Sequence, residues 1–114
     1  MANTVSIIRG DTWLRTWALK NPAKLPIDLT GATARLQVRS KDGVLLASAA
    51  TTDGRIIISG VKGQIDLVMP PSVTSLFEPL DENYDFDIEL TYATGIVKTL
   101  EIAELVVRKD ITRA

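Results

Sequence analysis

Apolar side chains recur at every second position in segment after segment of this chain, and a period of two is the period of a β-strand. The strongest run is Asn83 to Tyr92, where Tyr84, Phe86, Ile88, Leu90 and Tyr92 alternate with Asp85, Asp87, Glu89 and Thr91. Ala32 to Arg39 sets Ala34, Leu36 and Val38 on one face and Arg35, Gln37 and Arg39 on the other. Gln64 to Met69 turns Ile65, Leu67 and Met69 inward, and Thr12 to Leu19 puts Trp13, Arg15, Trp17 and Leu19 on one face. Thr4 to Ile8, Val44 to Ala50 and Arg55 to Ser59 read as shorter strands. Ile96 to Ile102 and Leu105 to Arg108 read as one strand bent near Ala103. Breaks fall at Arg9-Gly10-Asp11, Asp28 to Gly31, Lys41-Asp42-Gly43, Thr52-Asp53-Gly54, Gly60 to Gly63 and Ala93-Thr94-Gly95. Asn21 to Pro26 is a loop, because proline cannot donate to a ladder. The one helix candidate is Pro71 to Phe77, a single turn with proline suited to its first position.

Seven to nine short strands with a turn about every ten residues predict an all-β fold, an antiparallel β-sandwich, with a small closed barrel as the competing architecture. No βαβ rhythm supports a parallel sheet. The expected core holds Leu36, Val38, Ile65, Leu67, Phe86, Ile88 and Leu90. A chain of 114 residues without repeat or linker is expected to form one domain over 1–114.

Composition narrows the chemistry. The chain has neither cysteine nor histidine, which removes disulfides, thiolate nucleophiles, cysteine–zinc sites and the usual neutral-pH general base. Serine–histidine and cysteine–histidine mechanisms are closed to it, and no phosphate-binding glycine loop or nucleophile elbow is written in it. A net charge of −1 gives no global attraction to nucleic acid or to an anionic membrane. There is no bilayer-length apolar run and no signal-peptide pattern at the start. No catalytic residue, cofactor or metal is therefore expected.

Three constellations are candidates for contact with a partner. Asp85, Asp87 and Glu89 form a carboxylate row, extended by Asp81 and Glu82; neighbours about 7 Å apart on a strand are too far for one oxygen cage, so a solvated face is favoured. Arg35 and Arg39 flank Gln37; they suit a phosphate or carboxylate ligand, and more simply cover a face or pair with carboxylates on a neighbouring strand or subunit. Trp13 and Trp17 flank Arg15, an arrangement that stacks a sugar or a base when exposed and packs in the core or against a partner when not; tryptophan is usually buried. The tail Arg108 to Arg113 is too short and too mixed in charge for a nucleic-acid patch. Taken as opposed patches, the acidic stretch from Asp81 to Glu89 and the basic pair Arg35 and Arg39 suggest a head-to-tail homo-oligomer.

Several segments resemble a known family. Ile8-Arg9-Gly10-Asp11-Thr12-Trp13 resembles the opening of phage and prophage tail or baseplate proteins. Pro26 to Gly31, Ala34 to Arg39, Tyr84 to Ile88, Gly95 to Leu100 and Val106 to Arg113 look like successive segments of the N-terminal immunoglobulin-like domain of phage baseplate upper proteins. The resemblance implies an immunoglobulin-like sandwich and a non-enzymatic virion component, made in the bacterial host cytoplasm. It also implies partners among other tail or baseplate proteins and a homo-oligomer. The alternative is a sandwich module that binds a glycan or host surface through Trp13, Arg15 and Trp17.

A protein without cysteine or histidine and without a carboxylate cage is expected to keep its melting temperature when a strong chelator is added. A drop of several degrees in calorimetry would overturn that.

Overall fold

Each alternating segment becomes a strand and each glycine-bearing break becomes a turn. The computed structural model describes residues 3–78 and 83–109. Its strands are β1 (Asn3–Ile8), β2 (Trp13–Ala18), β3 (Thr33–Arg39), β4 (Leu45–Ala50), β5 (Ile56–Ser59), β6 (Gln64–Met69), β7 (Tyr84–Thr91) and β8 (Val97–Arg108). One helical turn, α1 (Pro71–Thr74), begins with proline as expected, and a short 3-10 turn covers Thr51–Asp53. Asp81 and Glu82 of the acidic stretch, and Asp110, Ile111, Thr112 and Arg113 of the basic tail, lie outside the described residues.

Two sheets pack face to face. One has the order β1-β8-β7-β3-β4, the other β2-β6-β5. Their connectivity is that of an immunoglobulin-like sandwich: β2, β6 and β5 stand as strands B, E and D, and β8, β7, β3 and β4 as G, F, C and C′. One pair departs from the antiparallel expectation. β1 runs parallel to β8, from Asn3 opposite Ala103 to Ile8 opposite Arg108. β1 crosses to the other sheet at its end and is not tied to β8 by a hairpin, so nothing forces the two strands to run in opposite directions.

The expected core residues are all at most 2% exposed, as are Leu29, Ile56, Phe77, Ala103 and Leu105. An antibody domain ties strands B and F with a disulfide. Here Trp13 of β2 meets Phe86 of β7 edge-on at 5.2 Å between ring centroids. The aromatic pair bridges the two sheets by packing alone. Two residues before Phe86, the Tyr84 hydroxyl donates to the Glu78 carbonyl at 2.6 Å. This is the tyrosine corner of immunoglobulin-like folds, a ring buried at the start of strand F and bonded to backbone just upstream. The β1–β2 turn docks beside it. The Thr74 hydroxyl donates to the Asp11 carbonyl at 2.6 Å, and Arg9 Nε donates to the Ser75 carbonyl at 2.9 Å.

The bend expected near Ala103 lies elsewhere. In β8 the pairing with β7 shifts between Ile88 and Glu89, leaving Leu100 as the extra residue. Ala103, Leu105 and Val107 fill the core beyond this bulge, and Leu100, the extra residue, packs against it. A one-residue insertion switches the inward-facing positions of β8 from even to odd, which keeps Ala103, Leu105 and Val107 turned into the core.

Tyr84→Phe removes the corner bond and nothing else. The loss expected is about 1 kcal/mol, or about 4 °C in melting temperature for a domain of this size. An unchanged melting temperature would show the bond contributes nothing.

Candidate functional site

Chemistry requires polar groups brought together by the fold, and this fold gathers them in two places. The first lies between the sheets. Trp13, Arg15 and Trp17 share one face of β2, as expected; that face turns inward, and the bulge at Leu100 keeps Glu101 of β8 inward, in step with Ala103 and Leu105. Arg15 grips the Glu101 carboxylate with two bonds, Nε at 2.8 Å and Nη2 at 2.6 Å. Trp17 Nε1 donates to the same carboxylate at 3.1 Å and Asn3 Nδ2 at 3.2 Å. The guanidinium carbon also stands 5.7 Å from the Trp17 ring centroid, within cation–π reach.

Four donated bonds satisfy a carboxylate whose side chain is 9% exposed. Burial pushes the Glu101 carboxyl up, but the bonds from Arg15, Trp17 and Asn3 outweigh it and leave it below the usual carboxylate range. Trp13 lies in the core, 4% exposed, and Arg15 is committed to Glu101. The Trp–Arg–Trp face is thus a sheet-to-sheet contact rather than an open stacking platform. Glu101 was not among the residues singled out from the sequence. Its signal was there: an acid on the core-facing parity of β8, and a base on the core-facing parity of β2.

The second gathering covers the outer face of the five-stranded sheet. β3 and β7 are neighbours, so the basic and acidic rows lie side by side. Arg35 sits opposite Glu89 and pairs with it at 3.1 Å. Arg39 sits opposite Asp85 but donates to the Gly43 carbonyl and to Gln37 Oε1. Lys41 reaches Asp85 at 2.8 Å and Glu104 at 3.3 Å, and Asn83 also donates to Glu104. The bond it donates to Asp85 holds the Lys41 ammonium above its usual range, and bonds from Asn83 and Lys41 hold Glu104 below its own. The expectation of two opposed patches is therefore corrected. Antiparallel pairing of β3 with β7 sets the charges against each other inside one subunit, as cross-strand pairs do. Asp87 lies opposite Gln37 and, with Arg39, Asp85 and Ile102, lines a shallow depression of 140 Å³.

Among the described residues no group of three acids is placed to hold a metal ion. Nor does any described helix have the length and apolar character to cross a membrane. No family model and no curated protein matches the chain by sequence. Its structure is similar to that of CopC from Methylosinus trichosporium OB3b, at 10% identity over 99% of this chain and 89% of that one, TM-score 0.49. It is also similar to extracellular domains 3-5 of Drosophila OTK, at 17% identity over 96% of this chain and 33% of that one, TM-score 0.43.

Because Glu101 titrates lower folded than unfolded, its contribution is present above the unfolded value of about 4.3 and fades as pH falls through the folded value. Glu101→Gln should cost on the order of 2 kcal/mol at neutral pH, with the gap to wild type narrowing as pH falls below the usual carboxylate range. Melting curves across that range check it; a gap independent of pH would show that the carboxylate's charge does not stabilise the fold.

Proposed function

We propose that this chain is a non-enzymatic structural component of a phage or prophage tail or baseplate, acting through association with copies of itself and with other tail proteins in the virion. The sequence resemblance supports the family, and the segments that carry it are the ones that build the sandwich. Gly10 to Trp13 turns the chain into β2, Leu29 plugs the core, and Tyr84 and Phe86 make the corner and the aromatic bridge. Against an enzymatic role stands the fate of the charged groups. Arg15, Arg35 and Lys41 are spent on Glu101, Glu89, Asp85 and Glu104, each holding structure.

The observation that carries association is a run of three exposed aliphatic residues, Val44, Leu45 and Leu46, on the hairpin leading into the edge strand β4. Pairing with β3 shifts here, leaving Leu46 as an extra residue, so Leu45 and Leu46 both stay outside the core. Further along, the edge is closed. Arg55 Nη1 donates to the Ser48 carbonyl at 2.9 Å, and Asp53 accepts the Ala50 amide at 3.1 Å. Such blocking prevents open-ended strand addition, and contact is left to the aliphatic side chains at the hairpin. The glycan alternative gains no support from this geometry, since Trp13 is buried and Arg15 is occupied.

Leu45→Glu with Leu46→Glu tests the reading. Light scattering across concentration should give an oligomeric mass for the wild type and a monomeric one for the variant, with unchanged circular dichroism. A wild type that stays monomeric at high concentration would overturn it.

A further inference from the structure

The net charge of −1 conceals a division between lysine and arginine. One end of the sandwich is built from the β2–β3 loop (19–32), the β5–β6 turn (60–63) and the β7–β8 loop with the first residues of β8 (92–98). These stretches hold Lys20, Lys24, Lys62 and Lys98 against one acid, Asp28. Four lysines and one aspartate make +3 in a chain of −1, which leaves −4 on the rest. All four lysines are exposed, and none makes an ion pair among the described residues. Four of the chain's six lysines are here, and none of its seven arginines. Exposed aliphatic side chains stand beside the lysines at each loop: Leu25 at 60%, Val61 at 82% and Ile96 at 63%.

The loops form one rigid surface. Leu19 N donates to the Gly63 carbonyl, Ile27 N to the Leu19 carbonyl and Leu29 N to the Gly60 carbonyl, at 2.8 to 3.0 Å. Gly63 is packed so closely that a Cβ would stand 2.7 Å from the carbonyl oxygens of Leu19 and Ile27. A Cβ on Gly31 would touch Ala93 at 3.0 Å, so the first and third loops abut. Lys24 has φ of 65°, alone among the described non-glycine residues in the left-handed region. Asn21 Oδ1 holds that turn by accepting from Ala23 N and Leu25 N. A position that glycine fills with less strain instead presents an ammonium group at the loop's apex.

We propose that this end is a peripheral binding surface for an anionic lipid bilayer. The choice of cation separates a bilayer from other anionic partners. A defined phosphate or carboxylate is gripped by the planar fork of arginine, and protein interfaces are depleted in lysine and enriched in aromatic residues and arginine. At this end every cation is a lysine and the exposed apolar tips are aliphatic, the one aromatic ring, Tyr92, being half-buried against the core. Lysines act as point charges toward a diffuse negative surface, and aliphatic tips enter the headgroup zone beneath it. The surface lies away from the hairpin of Val44 to Leu46, so it goes beyond the association proposed above.

Co-sedimentation with vesicles of phosphatidylglycerol and phosphatidylcholine, against phosphatidylcholine alone, tests it. Binding is expected to the anionic vesicles only and to weaken steeply with added salt. Lys24→Glu with Lys62→Glu should reduce it at least about twentyfold, from about fivefold per lysine removed. Arg108→Glu with Lys109→Glu makes the same charge change at the other end and should leave most of the binding. Leu25→Ser with Val61→Ser should weaken vesicle binding while leaving binding to soluble poly-glutamate unchanged. No binding to anionic vesicles, equal losses in the two charge-reversal pairs, or a serine variant that loses nothing on vesicles would each overturn the proposal. Circular dichroism and melting curves confirm that each variant is folded.

Discussion

Without cysteine, strands B and F of the sandwich are joined by packing, at the edge-on meeting of Trp13 and Phe86. An immunoglobulin domain fixes these two strands covalently and then packs around the bond. Here the aromatic pair must hold the separation of the sheets and supply buried area at once. Tyr84 stabilises the same strand from one side, bonded to Glu78 and stacked near Phe77. Two residues further along β2, Arg15 reaches across to Glu101. Burying an ion pair is justified energetically only when every polar atom is satisfied, and the added bonds from Trp17 and Asn3 do that. The pair also fixes register, since sliding β2 by one residue would place Arg15 outside and leave Glu101 alone between the sheets.

Much of this was legible in the alternation. The core positions, the turns, the single helical turn and the shared face of Trp13, Arg15 and Trp17 follow from period two and from glycine and proline. Three features were not legible, for distinct reasons. The parallel pairing of β1 with β8 is a contact between the two ends of the sequence, and no local pattern encodes it. The bulge at Leu100 was displaced to Ala103 because the parity break spans several residues, and only pairing with β7 decides which one is extra. The opposed charge patches dissolved because Arg35 and Glu89, 54 residues apart in sequence, become cross-strand neighbours.

The division of cations has a physical logic. Arg9, Arg15, Arg35, Arg39 and Arg55 each donate directed bonds to carboxylates or carbonyls within the fold. Arginine's rigid fork suits fixed partners, and lysine's flexible point charge suits partners that are not fixed. Lys41 stands apart from the other lysines because two carboxylates flank it.

The parallel ladder of β1 and β8 also determines how the domain bears load. The chain enters this pair at Asn3, opposite Ala103, and leaves it at Arg108, opposite Ile8. Tension applied through the segments before Asn3 and after Arg108 pulls the two strands lengthwise past each other. All six facing pairs are then strained together, and the ladder fails only as a unit. An antiparallel pair joined in the same sheet and pulled from adjacent ends would open one bond at a time, as a zipper does. The strand that departs from the rest of the sandwich in direction is thus the one that makes it a mechanical clamp.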